Sequence, residues 1–277
     1  MSALAATLLL VAAAIHAGWN ALIKSEADRL QSIAILAVFS ALPALPLMLV
    51  FPPPAPESWP FLGLSAAIQV GYCFALVRAY DHGDLASVYP IARGSAPVLV
   101  TLGAALTAGE LPDASGLAGI ALISGGILAL TRNEAAPSKT AIRAALMTGL
   151  FIASYTVVDG LGVRVSESAI GYAVWQAAAA GTLIALSFVA IRRRAPTMPA
   201  GRAGAVLALA GALSALAYGI SVWAISVAAM GEVSAIRETS IVLAALIGAV
   251  VLKEKIAPRK WIAVIAVAIG VVLLSAG

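Results

Sequence analysis

The chain has 277 residues, of which 62% are hydrophobic and only 11% are charged. A soluble domain carries about 45–50% apolar and about 25% charged residues, so this composition excludes an ordinary soluble enzyme or binding domain. The net charge of +4 comes mainly from basic residues in short loops between apolar runs, and we therefore expect no nucleic-acid partner.

Long apolar runs predict ten transmembrane helices, because a span needs roughly 20 mainly apolar residues. The first run lacks a positively charged flank before it, so it is interpreted as a span and not as a cleaved signal peptide. The predicted fold class is an all-α integral membrane protein. In chain order, the predicted helices cover residues 4–23, 32–51, 59–77, 85–108, 114–130, 141–161, 169–191, 203–227, 232–252 and 258–275.

The chain divides into two similar halves of five helices. Arg93 and Arg237 lie 144 positions apart, and each is followed 17 residues later by a glutamate. Five is an odd number, so the second half must enter the membrane inverted relative to the first. Many secondary transporters are built in this way, with substrate held near the midplane. We expect two inverted five-helix repeats around a central cavity, at residues 1–131 and 141–277.

The distribution of basic residues predicts the orientation. Fourteen of the 17 lysines and arginines lie in the loops that follow odd-numbered helices or within three residues of them, whereas the opposite side has only Arg164. Cytoplasmic loops carry an excess of Lys and Arg. We expect a multi-pass protein of the bacterial inner membrane, with the basic loops in the cytoplasm and both termini outside, in the periplasm.

Helices four and nine contain charges that cannot leave the bilayer. Their uncharged runs, residues 98–108 and 241–252, have only 11 and 12 residues, too few to cross the membrane alone. Arg93 and the neighbouring pair Arg237 and Glu238 must therefore lie at membrane depth. A charge there costs about 2.5–3.5 kcal/mol and is expected to face a wet cavity or a partner.

Three interpretations of these arginines remain open. Both can bind an anionic group of a substrate, because the planar guanidinium forms bidentate hydrogen bonds to a carboxylate. Alternatively, Glu238 and Asp159 neutralise the arginines in a buried salt-bridge cluster that holds the halves together. Arg237 can also extend to the outer interface, because it lies about five residues into its predicted helix.

Prolines surround one of these arginines. Pro90 and Pro97 flank Arg93, and a proline inside a helix removes a backbone donor and kinks the chain. The carbonyl groups freed in this way can line a cavity, and interrupted helices are where transporters bind substrate.

Other polar and aromatic side chains complete the candidate substrate site. His16, Trp19 and Asn20 share one face of helix one. A histidine there can accept a proton near neutral pH, or it can be a neutral packing residue. Tyr155 and Asp159 lie four residues apart in helix six, and an intramembrane carboxylate is a functional candidate by default. The aromatic and amide side chains that can line a cavity or simply pack between helices are Gln69, Tyr72, Tyr89, Trp175, Gln176, Tyr218 and Trp223.

No cofactor or metal is predicted. The single cysteine, Cys73, lies in an apolar run, and no His, Cys or carboxylate residues cluster at metal-ligand spacing. An intramembrane enzyme would need a nucleophile paired with a base, which the sequence does not offer, so we expect no enzyme.

Several short motifs are distributed in order along both halves. They are His16-Ala-Gly-Trp-Asn-Ala-Leu-Ile-Lys24, Tyr89-Pro-Ile-Ala-Arg-Gly94 with Pro97, Gly109-Glu110, Arg237-Glu-Thr-Ser240 and Lys253-Glu254, together with glycine-rich fifth and tenth helices. With these motifs the whole chain resembles the drug/metabolite transporter superfamily, in its ten-helix EamA-type branch.

The resemblance implies a secondary transporter or exporter of small metabolites, often amino acids or related compounds. It also implies a central cavity formed by helices one to four and six to nine, with helices five and ten peripheral. The four-helix multidrug members use a glutamate in their first helix for proton exchange, and residues 4–23 contain none here. Proton coupling therefore stays open.

The expected function is alternating-access transport of a small polar metabolite, zwitterionic or anionic, with Arg93 at its anionic end. The alternatives are a multidrug or other metabolite permease, or a receptor or scaffold that transports nothing. Apart from the small-molecule substrate, the expected partner is the lipid bilayer.

Overall fold

The computed structural model describes residues 1–23, 28–83, 85–133, 137–251 and 258–276. All regular structure within these ranges is helical, which confirms the all-α prediction. Short 3-10 turns at Pro56–Ser58 and Leu130–Asn133 accompany the α-helices. The described α-helices are α1 Ala3–Ile23, α2 Arg29–Ala41, α3 Ala44–Leu47, α4 Trp59–His82, α5 Leu85–Ala108, α6 Ala114–Ala129, α7 Lys139–Arg164, α8 Ala169–Arg192, α9 Arg202–Val227, α10 Met230–Glu238, α11 Ser240–Val251 and α12 Pro258–Ala276.

The lengths of these helices are those of a multi-span membrane protein. Six stretches in the described ranges are long and apolar enough to cross a bilayer, and α1, α6 and α12 contain shorter apolar segments. Large side chains such as Leu49 and Leu106, 90% and 87% exposed, cover the outside of the bundle. An apolar exterior of this kind suits lipid and not water. The six long stretches are Arg29–Leu47, Pro56–His82, Val88–Ala108, Lys139–Arg164, Ala169–Arg192 and Arg202–Val227.

Several of the described helices begin at a residue whose side chain accepts a hydrogen bond from a free backbone N–H group of the first turn. Asp28 caps α2, Asp113 caps α6, Ser138 caps α7 and Ser168 caps α8, each accepting from the N–H three residues on. Asp113 lies outside the membrane-spanning segments, and the N–H of Gly116 and the hydroxyl of Ser115 hold the pKa of its carboxyl below the ordinary value.

The second predicted helix is shorter than expected. It was predicted to run unbroken over residues 32–51, but α2 ends at Ala41 and α3 covers only Ala44–Leu47. Pro43 and Pro46 explain the break, because a proline lacks the N–H that continues a helix and its ring clashes with the preceding turn.

The ninth predicted helix, residues 232–252, corresponds to two consecutive helices, although the backbone of Thr239 between them keeps a helical conformation. It consists of α10 and α11 with Thr239 between them. The N–H of Thr239 donates to the carbonyl oxygen of Ile236 at 3.1 Å, and its hydroxyl donates to the same oxygen at 2.6 Å. The end of α10, from Ile236 to the following Thr239, therefore forms a tight turn that contains Glu238. In contrast, α5 continues as one helix through Pro90 and Pro97.

Successive connections lie at alternate ends of the bundle. Asp28, before α2, lies 3.5 Å from Arg192 at the end of α8. At the other end, the N–H of Ala55, after α3, donates to the carbonyl oxygen of Ser166, after α7, at 2.9 Å. Connections that follow odd-numbered and even-numbered predicted spans are thus separated, as a chain that crosses the membrane repeatedly requires.

Helix packing also follows the order expected of a repeat. Helix α4 packs against α7 and α8, while α9 packs against α1 and α2; α5 packs against α7, while α10 and α11 pack against α1. Exchanging the first five spans with the last five turns each of these contacts into another. The contact of α4 with α7 becomes that of α9 with α1, α4 with α8 becomes α9 with α2, and α5 with α7 becomes α10 and α11 with α1. The division into two repeats stays a prediction, and this exchange supports it.

Helices α6 and α12 meet at a seam lined by glycines. A Cβ atom built on Gly119 would lie 2.9 Å from the carbonyl oxygen of Gly270, and one built on Gly270 would lie 2.8 Å from the carbonyl oxygen of Gly119. Small residues allow backbones to approach this closely in a membrane. The seam joins the fifth and tenth predicted spans within one chain.

The seam predicts a sharp difference between two glycines of α6. Gly119→Ala should destabilise the protein by about 1–3 kcal/mol, the usual cost of overpacking. Gly125→Ala is the matched control, because a Cβ there meets nothing within 4 Å and the gain in helix propensity is the same. The measurement is the Tm of the purified protein in detergent; equal Tm values for the two variants would show that the seam adjusts freely.

Candidate functional site

Glu238, at the end of α10, is the centre of the candidate site. Its carboxylate is fully buried, and Nη1 of Arg93 on α5 donates to both oxygens, at 3.2 Å to Oε1 and 3.0 Å to Oε2. Nη2 of Arg237 donates to Oε1 at 3.3 Å. The two arginines are only 6% and 7% exposed. The structure thus brings together the three charges that the sequence placed at membrane depth.

Helix one contributes a histidine to the same cluster. Nε2 of His16 lies 3.2 Å from Nη2 of Arg93. A guanidinium nitrogen can only donate, so Nε2 is the acceptor and carries no proton in this arrangement. His16 is therefore neutral here, which agrees with the second of the two roles that the sequence left open for it.

Each arginine has one buried N–H donor that lacks an acceptor among the described residues. Nε of Arg93 and Nε of Arg237 are both buried, and neither has an acceptor among the described residues. The guanidinium of Arg93 lies 5.1 Å from the ring centre of Tyr89, and that of Arg237 lies 5.9 Å from the ring of Tyr218, distances at which a cation and an aromatic face attract. An unpaired buried donor costs free energy, so a further acceptor oxygen at either Nε would be favourable.

Asp159 on α7 forms a second buried polar group. Its side chain is fully buried, and the hydroxyl of Tyr172 on α8 donates to Oδ1 at 2.9 Å. The hydroxyl of Tyr218 on α9 donates to Oδ2. Asp159 therefore accepts from tyrosines and forms no described ion pair with either arginine.

These contacts correct two of the interpretations drawn from sequence. Arg237 does not extend to the outer interface, because its side chain is buried and directed at Glu238. Asp159 does not neutralise the arginines by direct contact, whereas Glu238 does. A charge at this depth gains most from the nearest opposite charge, which is Glu238 for both arginines.

Aromatic rings connect the cluster around Glu238 with the polar group around Asp159. The ring centres of Tyr72 and Tyr155 are 5.8 Å apart, and those of Tyr155 and Tyr218 are 6.0 Å apart, both nearly edge to face. Edge-to-face rings at this spacing attract each other. Tyr218 thus contacts Asp159 through its hydroxyl and Arg237 through its ring.

The remaining predicted site residues have different positions. Trp223 is partly buried and packs against the main hydrophobic core, away from the described polar contacts of the arginines. Trp19 and Asn20 belong to α1, but their side chains lie outside the part of the chain that the structure describes. Lys24 and Glu254, both from motifs of the resemblance, lie outside the described residues.

Sequence reasoning missed Tyr172. It lies 13 residues after Asp159, across the short connection between α7 and α8. Helices joined by a short loop pack antiparallel, so residues at equal distances from the loop face each other. That spacing would have identified the pair.

Sequence reasoning also missed a contact at the end of the bundle opposite Asp28. Glu110 follows Gly109, whose φ of +63° suits glycine at a helix end. The carboxylate of Glu110 accepts from the N–H of Met230, the first residue of α10, and pairs with Arg164 at the end of α7. Arg164 also donates to the carbonyl oxygen of Ala228 at 3.2 Å. We call Glu110, Arg164 and Met230 the end contact.

Comparison with known proteins identifies the architecture. The model of the EamA-like transporter family matches residues 139–276, the second half of the chain. No curated protein matches the chain, whereas 28 solved chains do. One of these, a crystal structure of a protein, superposes with a TM-score of 0.75 at 16% identity, covering 98% of this chain and 94% of that one. At this identity the likeness shows the fold alone.

The buried cluster predicts a strong dependence of stability on Glu238. Glu238→Gln leaves two arginines without their counter-charge, and breaking a buried ion pair costs about 3–5 kcal/mol. Glu232→Gln, on the same helix but only partly buried, is the matched control and should change stability little. Thermal unfolding in detergent measures both variants, and an unchanged Tm for Glu238→Gln would show that the arginines find other acceptors.

Proposed function

The chain belongs to the EamA-like transporter family, whose members are transporters and not enzymes, and we propose that it moves a small zwitterionic or anionic metabolite across the bacterial inner membrane. The proposed substrate class is amino acids and related compounds. The single observation that carries this proposal is the meeting of Arg93 and Arg237, from repeat-related helices, on one buried carboxylate.

The charges of the cluster support a substrate with a carboxylate. Arg93 and Arg237 come from α5 and α10, the helices that the predicted repeat exchanges, and each keeps a buried Nε donor. Arginine is suited to such a site because its planar fork matches a carboxylate. In the proposed complex the substrate carboxylate contacts the two guanidinium groups, and Glu238 accepts from a substrate ammonium group.

Aromatic side chains support a place for the less polar part of the substrate. Tyr89 and Tyr218 lie over the two guanidinium groups, and Tyr72 and Tyr155 continue the same aromatic group. Rings adjacent to charged groups bind molecules with one polar and one apolar end.

We further propose that the substrate site opens alternately to the two sides. The end contact of Glu110, Arg164 and Met230 joins α5, α7 and α10 at one end of the bundle. If the basic loops are cytoplasmic, the end contact lies on the periplasmic side and both termini are periplasmic. Its partners come from both predicted repeats, so they separate when one half moves against the other.

The end contact predicts a local change in dynamics. Glu110→Gln removes the charge that pairs with Arg164 and weakens the acceptor for the N–H of Met230. Amide hydrogen exchange at residues 229–233 should accelerate, since exchange reports local opening. Glu57→Gln, an exposed carboxyl at the same end of the bundle, should leave it unchanged. Equal protection in the two variants would show that other contacts close this end.

A counterflow assay in proteoliposomes tests the proposed function. A panel of labelled amino acids and related carboxylates is offered to vesicles loaded with each unlabelled compound. Accumulation that saturates with concentration identifies a transporter. Conductance without saturation would indicate a channel, and binding without any flux would indicate a receptor or scaffold.

Arg93→Ala should reduce counterflow by about 10–100-fold, because a hydrogen bond to a charged group contributes about 1.5–3 kcal/mol. Arg237→Ala should also impair it. Arg78→Ala, which removes an exposed arginine at the end of α4, is the matched control and should transport normally. Wild-type rates from well-folded Arg93→Ala protein would remove this residue from the site.

A further inference from the structure

The formal charges of the ionisable side chains buried between the two halves sum to zero. Arg93 and Arg237 are cations, and Glu238 and Asp159 are carboxylates; all four are at most 7% exposed. His16 adds no charge, because its Nε2 accepts from Arg93. A substrate that brings one net negative charge to the arginines would leave the group unbalanced, and an unbalanced charge in a low-dielectric interior is strongly unfavourable.

The two carboxylates differ in their hydrogen-bond donors. Glu238 accepts from two guanidinium groups, and charged donors stabilise the charged form of a carboxylate. Asp159 accepts from the hydroxyls of Tyr172 and Tyr218 and from that of Ser65, all of which are neutral donors. A protonated Asp159 can keep both tyrosines as neighbours by donating to one of them, because a hydroxyl also accepts. An added proton is therefore better placed on Asp159 than on Glu238.

His16 is a poorer proton acceptor in this arrangement. Its Nε2 already accepts from Nη2 of Arg93 at 3.2 Å, so a proton on Nε2 would remove that hydrogen bond. It would also place two cations in contact, which repel each other strongly in a medium of low dielectric constant.

We propose that Asp159 takes up one proton from solution for each net negative charge that the substrate brings to Arg93 and Arg237. This inference rests on the proposed function and adds a partner to it: the site binds a proton together with an anion, but binds a zwitterion alone. In both cases the net charge of the buried group, counted together with the bound substrate, is the same as before binding.

Tyr218 connects the proton site to the arginines. Its hydroxyl donates to Asp159, and its ring lies 5.9 Å from the guanidinium of Arg237. When Asp159 is protonated and donates, the hydroxyl of Tyr218 becomes an acceptor or turns to another acceptor. Tyr218 is therefore in contact with both the proton acceptor and one of the two arginines.

The other groups around Asp159 are neutral or already paired. Ser65 and Gln176 hydrogen-bond to each other at 2.8 Å and carry no charge. Among the described residues, the titratable and charged side chains of the buried group on α7 and the helices around it are Tyr72 on α4, Tyr89 and Arg93 on α5, Tyr155 on α7, Tyr172 on α8, Tyr218 on α9, and Arg237 and Glu238 on α10.

Two probes that share an aromatic ring test the proposal. Phenylacetate carries one negative charge at pH 7, whereas L-phenylalanine is a zwitterion without net charge. Each is titrated calorimetrically into the full-length protein in detergent micelles, in phosphate and in Tris at the same pH. The difference between the heats in the two buffers gives the number of protons taken up on binding.

The wild-type protein should take up about one proton per phenylacetate and about none per phenylalanine, and the Kd for phenylacetate should rise up to about tenfold for each pH unit. Phenylacetate binding without proton uptake, or equal uptake with both probes, overturns the proton site and leaves the proposed function intact. Failure of both probes to bind overturns the anion site itself, and the counterflow panel then fails as well.

Asp159→Asn should bind phenylacetate without proton uptake and with a Kd that no longer changes with pH. Asp81→Asn, an exposed carboxyl at the end of α4, is the matched control and should show the wild-type uptake. If Asp159→Asn does not fold, the comparison of the two probes on the wild-type protein decides the question. Full proton uptake in folded Asp159→Asn would exclude Asp159 as the proton acceptor.

Discussion

The buried contact of Glu238 with two arginines determines how the middle of this protein is built. Each of the three charges would be costly at membrane depth without a partner. Arg237 and Glu238 pair within α10, whereas Arg93 finds its partner only when α5 lies beside α10. Because Arg93 belongs to the first half of the chain and Glu238 to the second, the same contact joins the halves. The placement of α1, which adds His16, and of α9, which adds Tyr218, follows from this arrangement.

The interruption of the ninth span lies where this contact needs it. Helix α10 ends at Glu238 and α11 begins at Ser240, so the carboxylate lies at a helix end inside the bundle and not within a continuous helix. The backbone of Thr239 keeps a helical conformation, so the interruption is limited to this residue. It lies in the half that has no proline at this position, while α5 runs through two prolines without ending.

The sequence predicted the spans and the buried charges because both follow from the composition of single segments. A run of about 20 apolar residues is a span whatever surrounds it, and the short uncharged runs after Arg93 and Arg237 required both arginines to be buried. The sequence could not say which carboxylate pairs with them, since that depends on how helices far apart in the chain pack. The sequence hypothesis placed Glu238 and Asp159 together on the arginines, whereas the fold assigns Glu238 to the arginines and Asp159 to Tyr172 and Tyr218.

The break after Glu238 was missed for a related reason. It depends on the hydroxyl and N–H of Thr239 turning back to Ile236, and threonine is compatible with a helix as well as with its end. The early end of α2 had a visible cause in Pro43 and Pro46, but the apolar run around them concealed it.

The seam of α6 and α12 limits how the two halves can move. Backbones that touch through Gly119 and Gly270 cannot approach further, and they lose their close packing if they part. Any motion elsewhere in the bundle that preserves this close packing must therefore carry α6 and α12 together as one unit.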